Sequence, residues 1–388
     1  MNKYAMAALP LALLGGMAHA QSSVTLYGAV DSGILYQSTS AATLATNARG
    51  TGKIFRFQDA GIYSSGWGIK GTEDLGGGYR ALFQLQGSFS SGTGKSSINS
   101  TPGQSAIFNQ VAAIGLSGPF GALTAGRQIV PLFRAMEATD VRGAQYFGSI
   151  FTALLGLNQA AGWPGTNTNA QIGAVYDDNA LVYQSPAYRG FSFAAEYAPG
   201  GVAGHFQGGT RESVVMKYAG YGLVFAAAYY NGHDTNPYPA AYGVVPGVNP
   251  AQETGVDNNR FVYVGARYTT LGGISVSASY ANARNPAHAE RTNYDLFSAG
   301  LGYRLSAALT LTSGLYYLRS RNDAAPYAGS STEIAVGADY RLSARTEIYA
   351  QVGHVNNKGA MNQPVAYGQP VEPGAQTTAA MIGVRHKF

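Results

Sequence analysis

The strongest constraint on this chain is a repeated two-residue alternation. In 331–342, Ile334, Val336, Ala338, Tyr340 and Leu342 alternate with Glu333, Ala335, Gly337, Asp339 and Arg341. Residues 79–89 behave alike. Tyr79, Ala81, Phe83, Leu85, Gly87 and Phe89 share one face, and Arg80, Gln84, Gln86 and Ser88 the other, with Leu82 the exception. Successive side chains of a strand point to opposite faces, so each segment has one oily and one wet side. Strands read near 23–37, 53–72, 79–90, 108–117, 122–128, 175–186, 190–199, 212–220, 222–231, 259–269, 273–283, 293–305, 308–320, 331–342, 345–356 and 376–388. Beyond the N-terminus no apolar run reaches the roughly 18 residues of a transmembrane helix.

A soluble sandwich also alternates, so further features must decide. Charged residues are 12% of the chain, about half the usual share of a soluble domain. Rings bracket the apolar faces, as in the pairs Tyr27 and Tyr36, Tyr79 and Phe89, Tyr294 and Tyr303, and Tyr316 and Tyr317. Aromatic rings at strand ends suit two membrane–water interfaces. The opposite faces carry Gly, Ser, Gln and Arg, which suits a water-filled interior. Connections alternate between tight turns, such as Ser306-Ala307 and Ser343-Ala344, and long polar stretches at 38–52, 91–107, 129–172, 232–258 and 358–375.

The fold expected is all-β: a transmembrane antiparallel β-barrel of sixteen strands, with short periplasmic turns and long extracellular loops. The string Tyr-Arg-Leu-Ser-Ala recurs at 303–307 and 340–344, one hairpin apart, and supports the phasing. No water in the hydrocarbon region satisfies free backbone groups, so the sheet must close on itself. The last strand must therefore pair with the first. Its outward face would be Ala380, Ile382, Val384, His386 and Phe388, with Arg385 and Lys387 inward. Sixteen strands enclose enough space for an aqueous channel.

Lys3 is the only charge among the first 20 residues, and an apolar stretch from Ala5 to Met17 ends in Ala18-His19-Ala20. This is the pattern of a secretory signal peptide at 1–20, leaving 21–388 as a single barrel domain. The absence of Cys removes disulfide, thiolate-metal and thiol-nucleophile chemistry. A net charge of +5 leaves no nucleic-acid footprint. No histidine pair has the i, i+4 spacing of a zinc helix, and no G-x-S-x-G elbow occurs. Gly66-Trp67-Gly68-Ile69-Lys70-Gly71 fits G-x-G-x-x-G, but inside a strand-like run rather than at a helix start. No catalytic residue, cofactor or metal is expected.

Four segments resemble general porins of Gram-negative bacteria, of the beta-proteobacterial and neisserial type. They are Ser23-Val24-Thr25-Leu26-Tyr27-Gly28, the turn segment 70–78 starting Lys70-Gly71-Thr72-Glu73-Asp74, the stretch 120–128 ending Ala125-Gly126-Arg127-Gln128, and the terminus Ile382-Gly383-Val384-Arg385-His386-Lys387-Phe388. They span the chain in order. The resemblance implies an outer-membrane channel for passive diffusion of small hydrophilic solutes and ions, working as a homotrimer; the positive net charge and several wall arginines point to a weak preference for anions. It implies contact with outer-membrane lipid and lipopolysaccharide, insertion by the barrel assembly machinery, and Phe388 as an assembly signal. One departure stands out: where the family often has Ser-Arg, this chain has Ser65-Gly66, which implies a wider or less anion-attracting pore.

The resemblance further implies that the third loop, about 129–172, folds inward and narrows the barrel. Glu137 and Asp140 are the acids of its first part. Lys70, Arg80 and Arg127, and then Arg304, Arg341 and Arg385, stand on wet faces opposite. Acids on a loop facing bases on a wall set a transverse field and an ion preference. The plainer reading is that each arginine pairs with an acid on a neighbouring strand, such as Asp339 or Glu347. Leu123, Ala125 and Arg127 share a face, so Arg127 needs a bulge to point inward. The rival functions are a barrel enzyme such as a lipase or protease, a structural or adhesive barrel, and a substrate-specific channel. The first needs a clustered Ser, His and acid, which no spacing here provides.

Overall fold

The computed structural model describes residues 23–43, 48–96, 106–160, 175–233, 258–284, 293–321 and 328–388. The expected signal peptide lies outside these residues. So does part of the third loop.

Seventeen strand segments form one antiparallel sheet: β1 (Ser23–Ala41), β2 (Gly50–Asp59), β3 (Gly66–Gly76), β4 (Tyr79–Ser88), β5 (Val111–Gly118), β6 (Gly121–Ile129), β7 (Tyr176–Gln184), β8 (Phe191–Ala198), β9 (Arg211–Gly220), β10 (Leu223–His233), β11 (Asn258–Thr269), β12 (Ile274–Arg284), β13 (Asn293–Arg304), β14 (Leu309–Ser320), β15 (Gly329–Arg341), β16 (Thr346–Gly359) and β17 (Gln376–Lys387). Two helices, α1 (Pro131–Thr139) and α2 (Ile150–Ala160), lie between β6 and β7. β1 pairs with β17 on one side, from Ala29 opposite Lys387 to Gln37 opposite Ala379. On its other side it pairs with β2 through 32–41 and with β3 through 23–29. β2 and β3 thus share one stave, and the closed barrel has sixteen.

The stave read as one strand over 53–72 is therefore interrupted. Ala60 adopts a positive φ of 66°. Asp31, inside the barrel on β1, replaces the lost ladder: its carboxylate accepts hydrogen bonds from the amides of Gly61, Ile62 and Tyr63 at 3.1, 2.9 and 3.0 Å. Tyr349 donates to the same carboxylate at 2.7 Å. A buried backbone donor without a partner costs free energy, and one acid satisfies three.

Outward positions are apolar and uncovered. On β15 Ile334, Val336 and Tyr340 are exposed, and on β17 Ile382, Val384 and Phe388. The inward-pointing neighbours Ala335 and Met381 are buried. Two girdles of rings flank this band. Tyr79 stacks on Phe120, and Phe191 meets Tyr218, near the short-turn rim. Tyr280, Phe297 and Tyr317 form a row toward the long-loop rim. Tyr27, Tyr294 and Tyr316 do not join the girdles, because odd and even positions face opposite ways. Tyr294 and Tyr316 are fully buried inside, and Tyr27 donates to Gln86 Oε1 at 2.9 Å across the inner wall.

Candidate pore constriction

The third loop leaves β6 and lines the inside of the barrel. Pro131 starts α1 at a position where its missing N–H removes no helical bond. Leu132, Phe133, Ala135 and Met136 are buried, and the helix lies against β8 to β12. Thr139 Oγ1 and the Tyr263 hydroxyl are 2.6 Å apart, and Val141 N donates to Ser277 Oγ at 3.2 Å. The loop then crosses to the split stave, where Tyr146 N donates to Ile62 O at 2.9 Å. Tyr367 N donates to Tyr146 O at 2.8 Å, so the last long loop clasps the third. α2 returns along β13 and β14.

Arg142 pins this crossing. It is 1% exposed. Its guanidinium donates to Gly148 O, to Thr312 Oγ1 at 2.9 Å, to Phe147 O at 2.9 Å, to Gln145 Oε1 at 3.2 Å and to Gln351 Oε1 at 2.5 Å. Asp140 beside it is 2% exposed. Its carboxylate accepts from Tyr316 at 3.0 Å and from the amides of Ala144 and Arg142 at 3.1 and 3.3 Å. Burial raises this carboxyl above its ordinary value of 3.8, against the opposing pull of these hydrogen bonds and of Arg142. The expectation that Asp140 faces the passage therefore fails. It closes the loop on itself, since a short acid after a helix satisfies the free amides of the turn that follows.

With the loop held against β8 to β16, an opening of about 480 Å³ remains on the other side. One wall is α1, with Phe133, Arg134 and Glu137. Arg134 Nη1 lies 2.8 Å from Glu137 Oε2, and their side chains are 58% and 29% exposed. The facing wall presents Tyr27, Tyr63, Gln86, Gln110, Arg385 and Lys387. Arg385 lies 5.0 Å over the ring of Tyr63 and 3.4 Å from Glu347. Lys70 lies 5.0 Å over the ring of Tyr27. Gln84 donates to Tyr27 at 2.7 Å, and Gln86 to Gln110 at 2.5 Å, which holds the neutral wall in place. Gly66 also borders the opening, and a Cβ there would approach Gly87 O at 2.8 Å.

Of the residues singled out from sequence, Glu137 and Arg385 border this opening, and Lys70 is one contact behind. Arg80 is the second residue of β4, and Arg304 and Arg341 are the last residues of β13 and β15. These three stand at the short-turn rim. At about 3.3 Å per residue, Arg80 is roughly 20 Å along its strand from Gln86. Arg127 sits at the expected bulge, where the register slips between Gly126 and Gln128 and Gly126 has φ 122°. Its side chain is 10% exposed and bonded to Asp178 at 2.6 Å, to Asn109 O at 2.8 Å and against the Tyr176 ring at 5.3 Å. The pairing with an adjacent strand's acid is the better description there. Asp177, at the start of β7, is buried 3.1 Å from Arg211. Arg134 and Arg142 escape a reading of the sequence. The i, i+3 spacing of Arg134 and Glu137 was the available signal. Among the described residues no cluster of three or more His, Asp or Glu side chains could hold a metal.

A sequence model described as Gram-negative porin matches residues 5–360. The chain belongs to the Gram-negative porin family. It is 27% identical over 398 residues to outer membrane porin protein 32 of Delftia acidovorans, with both chains covered completely. It is 27% identical over 395 residues to major outer membrane protein P.IB of a Neisseria meningitidis serogroup B strain, covering 99% of this chain and 97% of that one. In fold it is similar to a structure titled anion-selective porin from Comamonas acidovorans, with a TM-score of 0.76 and 21% identity, covering 95% of this chain and all of the other. This porin is thus a channel protein of the Gram-negative outer membrane. Its short-turn rim is periplasmic and its long-loop rim extracellular.

Proposed function

We propose that small hydrophilic solutes and ions cross this porin by passive diffusion through the opening between α1 and the wall of β17, β1, β3 and β4, with a weak preference for anions. The supporting observation is the charge around that opening. Arg134, Arg385 and Lys387 border it, with Lys70 behind, against Glu137. The neutral stretch of Gln84, Gln86 and Gln110 offers solutes exchangeable hydrogen bonds without a fixed charge. Charges in a narrow passage bordered by protein are screened less than in bulk water, so a small excess of cations sets the preference. The anion-selective title of the Comamonas acidovorans structure agrees. No bond needs to be made or broken, so the protein acts as a channel without enzymatic chemistry. The family resemblance supports a homotrimer with three separate pores, and Phe388 as an assembly signal.

Single-channel recording in a planar bilayer tests this reading. Purified porin is expected to give ohmic steps in groups of three and a reversal potential on the anion side under a salt gradient. A cation-side potential overturns the assigned preference and hands control to Glu137. Conductance near zero overturns the channel reading itself.

A further inference from the structure

The break between β2 and β3 turns one side chain around. On β2 Phe55 and Phe57 face outward, and on β3 so does Trp67. All three are odd positions, so an unbroken strand would show Tyr63 to the lipid. Instead Ala60 adopts its positive φ of 66°, and the amides of 61–63 turn to Asp31. Tyr63 thereby enters the lumen, where it borders the opening. A positive φ at a residue with a Cβ is strained, and such positions gather where a side chain must be aimed. Asp31 is fully buried. A buried acid and a strained alanine are costly where a plain strand would satisfy every amide.

Inside, Tyr63 bridges wall and loop. Its hydroxyl donates to Gly143 O at 2.6 Å. Arg385 rests over its ring. The rings of Tyr63 and Tyr146 meet edge to face, with centroids 6.3 Å apart and planes at 74°. Gly143 suits this contact: its φ is 62°, and a Cβ there would stand 3.2 Å from the Tyr63 hydroxyl. Tyr146 is in turn hydrogen-bonded to Ser64, the residue after Tyr63. Ser64 and Tyr146 line two spaces at once. One is the opening of about 480 Å³, and the other is a cavity of about 290 Å³ bordered also by Arg56, Asp59, Thr93 and Gln369. Tyr63, Ser64 and Tyr146 thus form a bar between the two.

We propose that Tyr63 is the residue that sets the size limit for solutes in this porin. Ring and hydroxyl act together. The ring takes up space at the edge of the opening, and the bond to Gly143 keeps the bar shut against the second cavity. Neither group carries a charge, so the width of the passage is set separately from its ion preference. The inference rests on the passage of solutes through this opening.

The test combines single-channel conductance of the full-length porin with swelling of porin-bearing liposomes in glucose and in the trisaccharide raffinose. Y63A is expected to raise conductance about 1.5-fold, as the second cavity joins the opening. It should also raise the entry rate of raffinose relative to glucose several-fold. Y63L, which keeps more of the packing against Tyr146, should lie between Y63A and the parent. Y63F keeps the ring and should keep the sugar ratio, with noisier traces from the lost bond to Gly143. Y263F removes a hydroxyl contact between wall and loop on the far side, at Thr139, and should match the parent in conductance and sugar ratio. Heat-resistant electrophoretic mobility reports that each variant is folded. Parent-like conductance and sugar ratio in folded Y63A or Y63L overturn the inference. So does an equal change in Y263F, or a Y63F trace as quiet as the parent's. A parent that conducts nothing overturns the channel reading instead.

Discussion

Arg134 and Glu137 stand one turn apart on α1, joined at 2.8 Å, on the face that the helix turns toward the open side of the barrel. The opposite face of the helix buries Leu132 and Met136. The sequence PLFRAMEAT thus divides its work: apolar residues fasten the helix to the wall, and one ion pair is shown to whatever passes.

Replacing either partner should move selectivity in opposite directions. R134A should shift the salt-gradient reversal potential toward cations, and E137A toward anions. A charge at about 4 Å in water contributes roughly 1 kcal/mol, and weaker screening in the passage adds to it, so the permeability ratio should change by about fivefold or more. Equal, same-sign shifts in both variants would remove the pair from the ion path.

Wall cations should rank by position. K70A and R385A are expected to shift the reversal potential more than R80A, which stands at the periplasmic rim. R127A should lower thermal stability and leave selectivity nearly unchanged, because its guanidinium is bonded to Asp178 and Asn109. A large selectivity shift in R127A would contradict that placement.

Arg142 should govern how still the loop is held. R142A leaves several buried carbonyl and amide oxygens without a donor, at about 1–3 kcal/mol each when no water replaces it. The expected result is a loss of about 3–5 kcal/mol in unfolding measurements. Single-channel traces should become noisy. A quiet trace with parent-like stability would show that the loop is anchored elsewhere.

Asp140 gives a pH dependence of defined sign. Burial raises its carboxyl above 3.8, so the folded protein keeps a proton that the unfolded chain has lost. Its contribution to stability is fully present below that value and is lost as pH rises through the raised one. The stability of the parent minus that of D140A should therefore be largest in acid and decline as pH rises through the raised value, then level off. A difference that grows with pH would reverse the assignment.

The seam between the ends offers a fifth handle. Gly28 and Phe388 exchange both backbone hydrogen bonds, at 3.1 and 3.0 Å. A Cβ on Gly28 would meet the Phe388 ring at 2.4 Å. F388A and G28V should both lower the yield of folded, heat-resistant porin, read by electrophoretic mobility before and after boiling. A parent-like yield for both would remove the terminal ring from assembly.

The strands were legible because the bilayer and the water column impose one rule on every stave: alternate residues must differ in polarity. That rule carries no information about depth along the barrel. It assigns Arg80, Arg304 and Arg341 to the wet face, yet it cannot tell the rim from the narrow part. It also reads a stave as continuous wherever alternation survives, and so it missed the break that Asp31 repairs at 61–63. Asp140 and Arg142 follow a different logic, that of a small packed core inside the lumen. There a charge is silenced by its neighbours, and those neighbours lie on strands more than a hundred residues away.

On one side β1 finds all of its partners in β17, more than three hundred residues away along the chain. A chain missing its end is therefore no narrower channel but a sheet with two raw edges. Only with every stave in place can the barrel become watertight, so the permeability of the cell envelope is guarded by topology before any side chain takes part.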